Sequence, residues 1–278
     1  MDSVMARKMW RTLEPYHGFI YFTPEAPAAY DRFGIEGQGG YFASRAAPMG
    51  AVPAEVVVAT FFNFDPRLVH EAIPLAWERG APAEWVAARL EAIDRALRGV
   101  LADVVDSPEM VEAAELARTA AEACIAPGRP LYGGHAALDW PEPPHLVLWH
   151  AITLLREFRG DGHVACLCAE GLDGCQALVV HAATGDVPAR TLAATRGWSD
   201  EAWESAVEAL ADRGLVTSDG QLTDAGRAHR QHVEDRTDEL ALAPWQHLGS
   251  EGCDRLRTLV RPWSKAIVES GSFGFRSD

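Results

Sequence analysis

Between Pro144 and Cys168 the sequence concentrates side chains that bind anions and move protons: Trp149, His150, Arg156, Arg159, Asp161 and His163. Guanidinium groups recognise carboxylate or phosphate through paired hydrogen bonds, and an imidazole exchanges a proton near neutral pH. In that chemistry His150, His163 and Asp161 are the candidate catalytic groups, and Arg156 and Arg159 are candidate anion ligands. Trp149 and Arg156 stand seven residues apart and share one helix face, so Trp149 would offer a ring to stack on. Gly160 and Gly162 suggest a turn on which these groups converge. A purely structural reading fits the same residues: a helix-end ion-pair network in which Asp161 caps the next helix and holds Arg159.

Arg45 and His135 join the candidate ligand-binding set through a weak internal repeat. Residues Tyr41 to Phe64 align at a 90-residue offset with Leu131 to Leu154, with the Ala-Ala pairs and one Pro in register. Arg45 and His135 precede those pairs, so they would face one another across a cavity, or else lie on the surface of their own helices. His163, Cys166, Cys168 and Cys175 are types that ligate zinc, but Cys166 and Cys168 point to different helix faces and no CxxC pair is present. No metal and no cofactor is expected. Dinucleotide, P-loop, HExxH and GxSxG signatures are all missing, and Gly37-Gln38-Gly39-Gly40 follows no strand.

The elements that carry these groups read as mainly α. Helical spacing runs from Ala6 to Leu13, and Pro24 starts a helix toward Phe33. Further helices are expected at Tyr41 to Ala47, Pro53 to Phe62, Pro66 to Glu78 and Ala83 to Leu101, with another after Ser107-Pro108. From Val187 the order changes to a short helix, the turn Arg196-Gly197-Trp198, a helix capped by Ser199, a small β-hairpin around Ser218-Asp219-Gly220, and a helix capped by Thr223. That order is helix-turn-helix followed by a wing. The fold expected is therefore helical repeat units plus a winged helix-turn-helix, divided at 1–128, 129–242 and a C-terminal helix in 243–278. In that last helix Leu256, Leu259, Val260, Trp263 and Ile267 share a face for an interface or for the core.

A chain of 278 residues, 48% hydrophobic, is long enough to bury a large core, and its apolar runs are too short for a membrane span. Five cysteines without paired spacing predict no disulfides, and the expected compartment is the cytoplasm. The net charge of −15 opposes binding to a phosphate backbone. Locally, the helix that would enter the major groove carries Asp200, Glu201, Glu204, Glu208 and Asp212 against Arg213 alone.

The stretch LADRGLVTSDGQLTDAGRAHR, Leu210 to Arg230, resembles the MarR family of winged-helix regulators. Over most of its length the chain resembles an actinobacterial helix-turn-helix (SalK-like) family. The resemblance rests on EGQGGYFASRAAPMG at Glu36 to Gly50, FFNFDP at Phe61 to Pro66, LREFRGDGHVACL at Leu155 to Leu167 and RGWSDEAW at Arg196 to Trp203. It implies a winged-helix fold and a shared structural or ligand role for Arg156, Arg159, Asp161 and His163. It carries no substrate, and it implies small apolar residues where Cys166 and Cys168 stand. Two functions follow as expectations. The first is a small-molecule-binding protein or biosynthetic enzyme with an Arg/His/Asp pocket for an anionic or aromatic organic ligand. The second is a ligand-responsive DNA-binding regulator that dimerises through its terminal helices.

Overall fold

The computed structural model describes residues 2–273, and its regular elements are helices. In chain order they are α1 (Ser3–Gly18), α2 (Glu25–Tyr30), α3 (Gly39–Ala46), α4 (Ala54–Thr60), α5 (Pro66–Ala72), α6 (Leu75–Arg79), α7 (Pro82–Leu101), α8 (Pro108–Glu122), α9 (Pro130–Ala136), α10 (Pro144–Ala169), α11 (Gly174–Ala182), α12 (Ala189–Arg196), α13 (Asp200–Asp212), α14 (Asp224–Leu240) and α15 (Ala243–Glu269). The caps explain many boundaries. Ser107, Asp173, Ser199 and Thr223 each accept a backbone N–H in the first turn of the helix they precede. Pro66, Pro82, Pro108, Pro130 and Pro144 open helices, where a missing N–H costs nothing. The helix expected from Pro66 to Glu78 is broken into α5 and α6 because Pro74 donates no hydrogen bond.

Helix α10 is the axis. It is buried along most of its 26 residues and packs against α8, α9, α1 and α14. It does not turn at Gly160 and Gly162, contrary to the expectation above; the helix runs through both. Gly162 is needed there for close approach, since a Cβ would stand 2.7 Å from the Arg129 Nη1 atom. That guanidinium lies over the Phe158 ring and donates to the carbonyls of Phe158 and Leu240.

The buried apolar residues form two clusters. The larger runs from Ala6 to Phe158 and is completed by α15, whose Leu256, Leu259, Val260, Trp263 and Ile267 are all buried. That stripe is occupied within the chain, against α1 and α8. The smaller cluster joins the end of α10 to α11, α13 and α14 through Cys166, Val179, Leu210, Leu215 and Val233.

The expected β-hairpin does not form: there is no strand among the described residues. Its place is taken by one antiparallel bridge between Val216 and Leu222, closed by Thr217 N–H donating to the Gln221 carbonyl at 2.8 Å. The reason is length. Leu215 already closes α13 through its N–H to Leu210 O, and Thr223 already caps α14, so too few residues remain for a ladder.

No single helix among the described residues is long and apolar enough to cross a membrane. The five cysteines are free, and no group of three or more His, Cys, Asp or Glu there is arranged to hold a metal ion.

Candidate functional site

Two adjoining cavities lie where α1, α2, α3 and the loop before α3 meet α10 and α12. The outer one has a volume of about 1140 Å³ and the inner one about 450 Å³. Their shared wall is built from Trp10, Glu14, Tyr41, Phe64, Arg156 and Arg196.

Glu157 is the anchor of this wall. It is 1% exposed and receives Arg45 Nη2 at 3.2 Å and Arg156 Nη1 at 3.0 Å. Burial alone would raise its pKa, but Arg156 and Arg45 overturn that and hold it well below the usual carboxylate range. Arg45 also lies over the Phe61 ring, 4.5 Å from its centre, and donates to the Tyr41 hydroxyl oxygen at 2.7 Å. That leaves the Tyr41 hydroxyl proton without an acceptor among the described residues. Glu14 reaches Arg156 at 3.6 Å and accepts from the Trp10 indole at 3.1 Å.

Arg196 is the unbalanced member. It ends α12, stacks on Phe64 at 4.9 Å and donates to Thr195 Oγ1 at 3.0 Å, and among the described residues no carboxylate is within ion-pair distance. Its Nε is buried without a partner. Burial lowers its pKa, Tyr41 opposes that, and Arg45 and Arg156 push in the same direction as burial. Two guanidiniums thus share one deeply buried carboxylate, and a third, Arg196, lines the same inner cavity.

Beneath the outer cavity runs a hydrogen-bonded chain whose directions can be assigned. Thr153 donates to the Trp149 carbonyl at 2.8 Å, so its oxygen accepts from His17 Nδ1 at 3.0 Å. His17 Nε2 is then an acceptor for the Tyr21 hydroxyl at 3.1 Å, whose oxygen accepts from Arg89 Nη2 at 3.0 Å. Burial, with Arg156 next, holds His17 well below its usual pKa, and burial pushes the Tyr21 phenol up. The chain is therefore neutral at His17, and the Tyr21 proton points inward. Trp149 is buried here, stacked on His17 at 5.9 Å, and supplies no face to either cavity.

The residues expected from the sequence divide accordingly. Arg45, Arg156, Arg159, Asp161 and His163 all line the inner cavity. Arg159 donates to Glu234 at 3.2 Å and Asp238 at 3.1 Å on α14. His163 Nδ1 meets Thr237 Oγ1 at 2.9 Å, and burial lowers its pKa to about 4. Asp161 accepts from Tyr132 N at 2.9 Å, capping α9 from a different helix and not the one that follows. Burial, partly offset by that N–H, pushes it up to about 6.

His135 and His150 line neither cavity. His135 is buried with Nε2 unpartnered and does not touch Arg45 through a hydrogen bond, though Arg45 is near enough to depress its pKa after burial and Arg89. His150 packs edge-on to Trp140 at 4.8 Å, and burial lowers it to about 4. Sequence reasoning missed Glu157, Tyr21, Tyr41, His17, Arg89 and Arg196. Glu157 and Arg196 lay inside the quoted stretches; the signal was a carboxylate among arginines and an arginine ending a helix.

The arm Thr195 to Trp198 between α12 and α13 is docked on the N-terminal part of the chain. Asp65 N–H donates to the Arg196 carbonyl at 2.8 Å, Trp198 Nε1 to the Asn63 carbonyl at 3.0 Å, and Gln38 Nε2 to the Thr195 carbonyl at 3.1 Å. Helix α13 turns Asp200, Glu201, Glu204, Glu208 and Asp212 to solvent. Arg213 is engaged with the carbonyls of Gly171 and Glu170.

No curated protein and no solved structure matches the chain. Residues 6–274 match the model of a family described as a helix-turn-helix family. Because that match runs over nearly the whole chain, the protein belongs to this helix-turn-helix family.

Proposed function

We propose that the protein binds a small organic anion at the wall between its two cavities. One observation carries this reading: Arg196 pairs with no carboxylate among the described residues, and it shares a cavity wall with Arg156, which together with Arg45 holds the buried Glu157. Arg196 is half-buried with its Nε unpartnered, and an anionic ligand that accepts from it and from the free Tyr41 hydroxyl would supply the missing partner. The hydrogen-bond chain below favours binding over proton transfer through His17, because neutral His17 and the inward Tyr21 proton leave that chain without a base facing the ligand. Arg159 and His163 then serve as struts between α10 and α14 at the back of the inner cavity.

The test is titration of naphthalene-2-carboxylate followed by tryptophan fluorescence, to which Trp10 in the wall contributes. Arg196→Gln should weaken binding at least tenfold with the melting temperature unchanged. Equal affinity in the variant would reject the site.

Membership of a helix-turn-helix family favours a second reading, a DNA-binding regulator in which α13 reads DNA; its MarR-type form, with the bridge at Val216 and Leu222 as the wing, rests on the sequence resemblance alone. Five exposed carboxylates on α13 and the occupied Arg213 weigh against it. A salt-sensitive mobility shift with the gene's own upstream DNA at low ionic strength would restore it, and a dimer in solution would support it.

A further inference from the structure

We infer that the anion is the head of a polycyclic aromatic molecule that lies in the outer cavity with its charge inward; this rests on the anion site proposed above. Polarity sets the orientation. The acidic residues Asp31 and Glu36 that line the outer cavity are exposed to solvent, so they mark its mouth and are screened by water. Arg156 and Arg196 stand in the wall that the outer cavity shares with the inner one. A carboxylate entering from solvent is drawn past the screened mouth to the less hydrated cations.

The walls set the body. Tyr21 and Tyr41 meet edge to face at 5.3 Å, Tyr41 and Phe64 are 5.5 Å apart, and Phe22 pairs with Phe273 at 4.8 Å. Phe22 is 52% exposed although it lines the cavity, so this last ring pair belongs to the mouth. Rings presented as faces and edges suit flat fused rings, which stack without losing rotamer freedom, better than a flexible alkyl chain. A cavity of about 1140 Å³ is far larger than a single benzoate needs.

The experiment compares benzoate, naphthalene-2-carboxylate, pyrene-1-carboxylate, palmitate and uncharged 1-pyrenemethanol on the full chain at neutral pH and moderate salt. Binding is read by pyrene fluorescence or by its displacement. Affinity should rise roughly a hundredfold from benzoate to pyrene-1-carboxylate and fall at least tenfold in 1-pyrenemethanol. Phe22→Ala, at an exposed position, should weaken pyrene-1-carboxylate several-fold and leave benzoate unchanged. Benzoate binding as tightly as pyrene-1-carboxylate, or palmitate binding more tightly, would overturn the polycyclic body and leave the anion site standing. Equal affinity for pyrene-1-carboxylate and 1-pyrenemethanol, or no binding by any of them, would overturn both.

Discussion

Replacing Glu157 by Gln keeps the side-chain volume of the buried wall and removes its charge. In the native protein this carboxylate is 1% exposed and holds Arg45 Nη2 at 3.2 Å and Arg156 Nη1 at 3.0 Å. Taking away one partner of a buried ion pair leaves uncompensated charge, which typically costs about 3–5 kcal/mol. Arg156 retains Glu14 at 3.6 Å and is partly exposed, so the lower end, about 3 kcal/mol, is expected. For a chain of this size that corresponds to a fall in Tm on the order of 10 °C. The assay is thermal unfolding at pH 7, together with the double variant Arg45→Gln/Glu157→Gln. Because the double variant removes one of the stranded cations, it should be more stable than the sum of the single changes implies. The pH dependence provides a second readout. A carboxylate whose folded pKa lies below its unfolded value gives stability that is present above the unfolded value and lost as pH falls through the folded one. Glu157→Gln should therefore flatten the acid limb of the stability curve below about pH 4.5. A Tm within about 2 °C of the parent, or an unchanged acid limb, would refute the assignment of Glu157 as the counterion.

Asp161 has the opposite sign: its folded pKa, about 6, lies above the unfolded value, so ionisation between about pH 4 and 6 lowers stability. Asp161→Asn should raise Tm at pH 7 by a few degrees, with the difference vanishing near pH 4; a lower Tm at pH 7 would mean that the α9 cap needs its charge. Arg159→Ala leaves the buried Asp238 with Arg7 alone among the described residues and should lower stability by about 2 kcal/mol, measured by urea unfolding, while leaving naphthalene-2-carboxylate affinity within twofold. Gly162→Ala should displace the Arg129 guanidinium and lower Tm by several degrees, whereas Gly160→Ala, whose Cβ would meet only Glu157 Oε2 at 3.6 Å, should be nearly silent.

The helices were largely legible because their signals are local. Prolines at first positions and Ser or Thr caps mark their own boundaries, and α13 and α14 begin where Ser199 and Thr223 place them. Two errors share a cause. Gly160 and Gly162 read as a turn, and Ser218 to Gly220 as a hairpin, because isolated glycines weigh against a helix until packing is known. In the structure Arg129 occupies the space above Gly162, and the connection between α13 and α14 is too short for strands. The site was half visible. Arg156 was identified, but Glu157 beside it faces Arg45, 112 residues away in sequence. No periodicity encodes a pairing of that separation, nor the meeting of α1's His17 with Thr153 across 136 residues.

The same long-range contacts bear on what the helix-turn-helix is for. A reading helix works when its leading end is free to approach a duplex and its surface is cationic. Here the arm that leads into α13 is tied to Gln38, Asn63 and Asp65, and Gly197 sits so close to Leu68 that a Cβ would lie 2.5 Å from its Cδ1. Those same ties hold Arg196 over Phe64, in the wall between the cavities, where it pairs with no carboxylate among the described residues. One arrangement therefore restrains the motif and completes the cavity. On the proposed readings, freeing the turn for DNA would withdraw Arg196 from the proposed ligand site, so the two would compete for one residue: Gly197→Ala, by forcing Leu68 away, should weaken naphthalene-2-carboxylate binding even though neither residue lines the wall between the cavities.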